Sequence, residues 1–523
     1  MFLRNIINKG ISRHISEIIP IILLCLLAII IQPPVTDLMI NADTFVQLLS
    51  AKLLSETGSF SGYLGVGGDL LSPLFYRGGF SLMIYLINFF TEDLWLSAKI
   101  LLYLFYYLAI VATYFVTRKL YSPPIAVAST LLLMLGFSFS SWATVVMAEV
   151  PTIGLVALSL ALLVYSRKNH ALLYLSALIF GLALTFRLEM MLLLPGWLIL
   201  LCKIHEQYRL AIYYALLSLF VWLLYFAWLY FTHVTPNEWF WQEAIILKQT
   251  LFTHHLFLYI APLALILIPL AIRWRWLLLL PAAGAVGYLF YRPDHLYENL
   301  APLQLFIAND LFLVLVALAG LIVLFWKQKH LFYALSISVG LLVMLYYSRG
   351  EYRYYVHLAL PLGLAAGAFV AWIYQRQKIL GSLLVAVILI GQAALFAQPR
   401  FLPPVSYEQI VIEHTQAMIA RHNINPANLT ICSVFSEAFN YSTGIAAIDC
   451  FEGEKDIYRS SFPKLVVVDE DISRHQPEFI ELLESKYSEN LIDQEWIVTE
   501  YIEKNDTSIT RYPLRWYWLD GAN

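Results

Sequence analysis

The chain has 523 residues, of which 60% are hydrophobic and only 13% charged, about half the charged share of a soluble globular protein. Its net charge of −3 argues against a nucleic-acid partner and against a polybasic membrane-surface protein. Lipid is its main solvent, and its 33 Tyr and 14 Trp suit aromatic belts at two membrane interfaces.

The first apolar run, Ile18 to Ile31, follows Arg4, Lys9 and Arg13 and has the outline of a signal peptide. No small-residue cleavage site follows it, and the chain passes into Gln32-Pro33-Pro34. It reads as a retained span. Runs of suitable length and apolarity then place spans at 17–32, 95–117, 124–141, 150–166, 171–186, 189–203, 209–231, 256–272, 276–291, 308–326, 331–347, 355–374 and 379–397.

The loops alternate in character. Arg118-Lys119, Arg167-Lys168, Lys203 with Arg209, Arg273 with Arg275, Lys327 with Lys329, and Arg376 with Lys378 share the basic character of the N-terminus. The positive-inside rule makes these segments cytoplasmic. The expected fold is a polytopic α-helical membrane protein of about thirteen transmembrane helices, with a small C-terminal α/β domain outside. The division is 1–400 for the membrane domain and 401–523 for the soluble extracytoplasmic domain. A multi-pass protein of the plasma membrane follows, with its N-terminus cytoplasmic.

Three outer segments are large: 33–94, 232–255 and 398–523. In the first, Thr44 to Leu54 predicts a short helix, with Phe45, Leu48, Leu49 and Leu53 on one face and Thr44, Gln47 and Ser50 off it. Thr44-x-x-Gln47 fits a capping box, and a helix so short and half-polar is expected to lie along the interface. In the last segment, a helix from Ile410 to His422 precedes a strand from Leu429 to Val434. A second strand, Leu465 to Val468, runs into Asp469-Glu470-Asp471, and a helix covers Glu478 to Tyr487. This predicts a small three-layer module without a Gly-rich phosphate loop or a nucleophile elbow. Cys432 and Cys450 both fall in it, as a bridge or as two separate buried thiols.

Charges within or beside spans are rare and are often functional. Here they gather on the outer side. Asp43 opens the first-loop helix, either as a cap or as a general base at the mouth of the bundle, with Asp37 a weaker competitor. Glu149 stands where the chain re-enters the membrane before Pro151, a place that also suits a purely structural acid. Arg187 and Glu189 share a very short turn, as a local pair or as a seat for a lipid phosphate. Arg292, Asp294, His295 and Glu298 crowd another loop, as a solvated stretch or as acceptor contacts. Arg349, Glu351, Arg353 and Tyr354 form a second outer basic centre, and His233, His254 and His255 are candidate metal ligands at a wet interface.

The order of certain stretches resembles the GT-C superfamily of membrane glycosyltransferases. They are Asn41-Ala42-Asp43-Thr44-Phe45 with Ala51-Lys52-Leu53-Leu54, Pro73-Leu74-Phe75, Ala148-Glu149-Val150-Pro151, and Gly181 to Arg187. Arg353-Tyr354 before Leu360-Pro361, and Tyr441-Ser442-Thr443-Gly444, complete the set. The nearest likeness is to the lipid A aminoarabinose transferases and the dolichyl-phosphate-mannose protein mannosyltransferases. Close relatives in these groups often carry Asp-Glu where this chain has Asp43-Thr44, which leaves the acceptor class and any divalent metal open.

The resemblance implies an enzyme that takes a sugar from a polyprenyl-phosphate carrier. It passes the sugar, with inversion, to a lipid, glycan or protein hydroxyl outside the cell. In that scheme Asp43 and Glu149 are catalytic, and Arg187, Arg353 and Tyr354 bind the donor phosphate. The rivals are a flippase for a lipid-linked saccharide, for which internal repeats or mid-span charges are expected, and a saccharide polymerase or ligase.

Overall fold

A computed structural model describes residues 18–31, 42–58, 78–143, 145–233, 300–349, 352–396, 407–426, 429–433, 439, 442–443, 445–448, 464–469, 477–503 and 506–519. Helix α1 covers Ile18–Ile31. There follow α2 (Ala42–Thr57), α3 (Gly78–Thr91), α4 (Leu94–Leu120), α5 (Pro123–Met134), α6 (Phe137–Trp142), α7 (Glu149–Tyr165), α8 (His170–Phe186), α9 (Leu194–His205) and α10 (Tyr208–His233). Beyond them come α11 (Leu300–Asn309), α12 (Leu311–Lys327), α13 (Lys329–Arg349), α14 (Ala359–Arg376) and α15 (Lys378–Phe396). Three 3₁₀ helices, Ser166–Lys168, Leu188–Leu193 and Tyr352–Leu358, interrupt the series.

Each predicted span outside 256–291 lies mainly on helix among the described residues; the two in that interval lie outside the described residues. Among the described residues, five helices are long and apolar enough to cross a membrane, and a sixth if the bent pair α11–α12 is one span. Shorter apolar helices make up the rest. The chain is a multi-pass helical membrane protein.

Contacts divide the chain into two compact units: Met1–Pro34, Ile100–Thr144 and Ala148–Gln398 in one, and Val35–Lys99, Val145–Met147 and Pro399–Asn523 in the other. In the first unit α7 and α14 are buried nearly all round, while most of α10 is exposed. Lipid offers helices no hydrophobic reason to associate, so they meet through small residues and hydroxyls. The Tyr214 hydroxyl meets Ser159 Oγ at 2.9 Å and Ser176 Oγ at 3.1 Å, joining α7, α8 and α10. A Cβ on Gly320 of α12 would fall onto the Ala365 carbonyl of α14.

The apolar run 124–141, read as one span, breaks at Leu135-Gly136 into α5 and α6. Asp310, at the elbow where α11 and α12 bend by 93°, explains the break. Its carboxylate accepts from the amides of Phe137 (2.6 Å) and Ser138 (3.2 Å) and from the Ser138 hydroxyl (2.5 Å), satisfying the first turn of α6. A side chain at Gly136 would press on that carboxylate, at 3.3 Å from Oδ1.

The second unit departs from the sequence reading in its first part. Helix α2 begins at Ala42, so Thr44 is its third residue and does not cap it. Thr44, Gln47 and Ser50 are as buried as Leu48, Leu49 and Leu53. Gln47 Oε1 accepts from Ser81 Oγ at 2.6 Å. The helix is therefore buried on its polar side too, because α3, a stretch expected to be loop, covers it.

Toward the C-terminus, α16 (Tyr407–Arg421), β1 (Thr430–Cys432), β2 (Ala446–Ile448), β3 (Lys464–Val468), α17 (Pro477–Lys486), β4 (Leu491–Glu503) and β5 (Asp506–Leu519) build one sheet of order β2-β1-β3-β5-β4. Strands β1, β2 and β3 are parallel, and β5 runs antiparallel to both β3 and β4. Alternation along a strand sends neighbours to opposite faces. Leu465 and Val467 pack with Val411, Met418 and Trp516 on the α16 side. Val466 and Val468 pack with Phe479, Leu483 and Tyr517 on the α17 side. Cys432 is disulfide-bonded, Cys25 and Cys202 are free, and Cys450 lies outside the described residues.

Candidate active site

Helix α7 opens with Glu149 in its first turn, where an acid complements the exposed amide dipoles. Helix α8 ends at Phe186, and Arg187 follows in extended conformation, φ −150°, before the 3₁₀ turn Leu188–Leu193. A cation there complements the carbonyl end of α8. These two short-range preferences bring opposite charges to adjoining helix ends.

Arg187 Nη2 pairs with Glu149 Oε1. Both side chains are buried, at 1% and 0% exposure. Glu189 Oε1 lies 4.0 Å from Arg187 Nη1, an ion pair but too long for a hydrogen bond. The Tyr354 ring lies under the guanidinium, 5.4 Å from Cζ. Tyr354 belongs to the 3₁₀ helix Tyr352–Leu358, and its carbonyl accepts from His357 Nδ1 at 3.0 Å.

A buried guanidinium is stabilised only when its donors are satisfied. Among the described residues, Arg187 Nε and Nη1, and Glu149 Oε2, have no hydrogen-bond partner. Each of those two nitrogens is a donor suited to a carboxylate or phosphate oxygen.

The structure thus brings together Glu149, Arg187, Glu189 and Tyr354. Asp43 is the second residue of α2 and Arg353 adjoins Tyr354 in its 3₁₀ helix, but their side chains lie outside the described residues. Asp37, Arg292, Asp294, His295, Glu298, His254 and His255 lie outside them altogether, and His233 ends α10 with its side chain undescribed. Among the described residues no group of three or more His, Cys, Asp or Glu is placed to hold a metal ion. His357 and Asp310 escaped the sequence reading. Each is a lone ionisable residue in or beside an apolar run, the signal that should have flagged it.

No family model matches the chain, and no curated protein matches it. Among solved structures, the chain is similar to the Archaeoglobus fulgidus oligosaccharyltransferase complexed with Zn and sulfate, at TM-score 0.53 and 10% identity over 94% of this chain and 72% of that one. It is also similar to ArnT from Cupriavidus metallidurans bound to undecaprenyl phosphate, at TM-score 0.48 and 12% identity over 97% and 98% of the two chains. The apo state of that ArnT gives 0.41 at 12% identity. The likeness to the oligosaccharyltransferase is one of fold.

Proposed function

We propose that this chain is an integral-membrane glycosyltransferase that moves a sugar from a polyprenyl-phosphate donor to an acceptor hydroxyl on the extracytoplasmic side, with inversion. The fold it shares with an oligosaccharyltransferase supports glycosyl transfer as the general chemistry. The observation that carries the choice of donor is Arg187, a buried guanidinium whose Nε and Nη1 lack hydrogen-bond partners among the described residues. Phosphate oxygens are strong acceptors for such charged donors.

In this reading Arg187, with Arg353 and Tyr354, receives the donor phosphate. The bond from the anomeric carbon to the phosphate oxygen breaks as the acceptor oxygen attacks from the opposite face. Preorganised donors aimed at the departing charge stabilise the transition state. Asp43 takes the acceptor's proton. Glu149 grips one edge of the guanidinium and turns its remaining donors toward the phosphate.

Purified protein incubated with polyprenyl-phosphate sugars and a membrane extract, followed by mass spectrometry, tests this. The expected result is a sugar-bearing product together with free polyprenyl phosphate. Movement of intact donor between leaflets, with no product, would establish the flippase reading instead.

A further inference from the structure

We infer that His357 is a second ligand of the donor phosphate, taking up a proton as the phosphate binds and donating it from Nε2 to the leaving oxygen. This rests on the donor class proposed above and adds a residue and a proton to it. Its starting point is a tautomer. The Tyr354 carbonyl can only accept, so His357 Nδ1 carries hydrogen and donates at 3.0 Å. In the neutral ring the other nitrogen, Nε2, then holds a lone pair.

Position is the second element. Side chains three residues apart on a 3₁₀ helix eclipse one another, so Tyr354 and His357 share a face of Tyr352–Leu358. Tyr354 turns that face to Arg187. Arg187, Glu149 and Glu189 lie within electrostatic reach of the imidazole, which is only 2% exposed.

Charge supplies the reason for the proton. The described side chains of the site are one guanidinium and two carboxylates. An entering phosphate makes that group more negative, and a protonated imidazole restores the balance while supplying a charge-assisted bond. Arg353, on the same 3₁₀ segment, is the other cation proposed for the phosphate, and its side chain is undescribed. Of the helices packed on this 3₁₀ segment, α6 and α11 carry no ionisable residue, and α7 brings Glu149, with Tyr165 at its far end. Helix α14 has Tyr374 and Arg376, both at its far end. Helix α13 has Lys329, His330 and Tyr333 toward its far end and Tyr346, Tyr347 and Arg349, with undescribed side chains, at the near one.

In the transfer, the acceptor oxygen bonds to the anomeric carbon and gives its proton to Asp43. The bond from that carbon to the phosphate oxygen breaks with its electron pair on oxygen, which takes the Nε2 proton of the imidazolium. The imidazole is neutral again when the lipid phosphate leaves.

Calorimetry of farnesyl phosphate binding to the detergent-solubilised full chain, in two buffers of different ionisation heat near neutral pH, counts the protons taken up. Wild type is expected to take up more protons per bound lipid than His357→Asn. The asparagine amide keeps a donor for the Tyr354 carbonyl and deletes Nε2, and the phosphate's own ionisation contributes equally to both proteins. Affinity should fall about ten- to a hundredfold in the variant, the range for a hydrogen bond to a charged group. His357→Gln, which restores a neutral donor near the Nε2 position, should recover part of the affinity and none of the extra uptake. Equal affinity and equal uptake in wild type and His357→Asn would overturn the inference and leave the donor class standing. Should both variants misfold, wild-type affinity that stays constant with pH, after correction for phosphate ionisation, overturns it as well. A wild type that binds no farnesyl phosphate at all overturns the donor class itself.

Discussion

Arg187 and Arg421 each pair with carboxylates, in surroundings that differ in everything that sets the energy of an ion pair. Arg421, on α16, is 51% exposed and reaches Asp493 at 3.0 Å and also Glu495, both on β4. His414 and His422 join the same two acids at 2.6 and 3.3 Å. Every member of that cluster touches water, so the pairs are screened and hold little energy. Arg187 and Glu149 are cut off from water, and their pairing leaves Nε, Nη1 and Oε2 without a hydrogen-bond partner among the described residues. A buried pair of that kind is weak evidence for stability. The difference teaches where to look for function: the solvated cluster fastens a helix to a strand, whereas the incomplete buried pair is tolerable only if something else completes it.

The largest effect that would sharpen this contrast concerns Asp43, the acid proposed to work on the acceptor. Asparagine is nearly isosteric and gives up only the first-turn charge effect, about 0.3–1 kcal/mol. Asp43→Asn should therefore fold normally and bind donor, yet lose about 10²–10⁴-fold in turnover, the usual contribution of a positioned base. A purified variant with full transfer activity in the mass-spectrometric assay removes Asp43 from the mechanism.

Next comes a direct break of the buried pair. Arg187→Met strands Glu149 without its counter-ion and should cost about 3–5 kcal/mol of stability. Adding Glu149→Gln removes the stranded charge and should restore most of the melting temperature. Donor binding should stay lost in the double variant, because the guanidinium, not the pair, meets the phosphate. Recovery of binding along with stability would make Arg187 purely structural.

A third substitution asks whether the sheet side obeys ordinary core rules. Trp516 Nε1 donates to Thr415 Oγ1 at 2.9 Å, with both residues fully buried. Thr415→Val keeps the shape and removes the acceptor, so the orphaned indole should cost about 1–3 kcal/mol. Chemical denaturation of the full chain, followed by tryptophan fluorescence, measures it. Transfer activity should not change.

The two regions also differed in how far their sequence disclosed them. Apolar runs in the bundle are long and marked off by paired basic residues, so their helices could be placed from the sequence. Glu149, Arg187 and Tyr354 stood out because ionisable and aromatic groups beside apolar spans are conspicuous. Their mutual contact did not, since nothing in the local pattern joins residues 38 positions apart. Asp310 was hidden for the same reason: it caps α6 across 172 positions. Helix α3 is not legible as a span because its 14 residues are too few to cross a bilayer. In the sheet, β4 carries acids at Asp493, Glu495 and Glu500, and β5 contains Pro513. Proline in a run argues against a central strand, yet β5 lies between β3 and β4. Tertiary pairing there overrode local preference.

The smallest expected effect tests the solvated cluster through pH. Burial alone would raise the Glu495 carboxyl, but hydrogen bonds and charge from His414 and Arg421 outweigh it and hold the group below its usual range. A carboxyl depressed in the folded state stabilises that state above its unfolded pKa, about 4.3 for glutamate, and the stabilisation disappears as pH falls through the folded value. Glu495→Gln cannot titrate and forfeits this increment at every pH. The wild-type chain should therefore melt slightly above the variant at neutral pH, with the gap closing as the solution is acidified below the ordinary carboxylate range. Raising the salt at neutral pH should narrow the same gap, because the cluster is in contact with water. A gap that persists unchanged in acid would mean that Glu495 acts by packing, and the contrast between a screened pair and a buried one would lose its exposed arm.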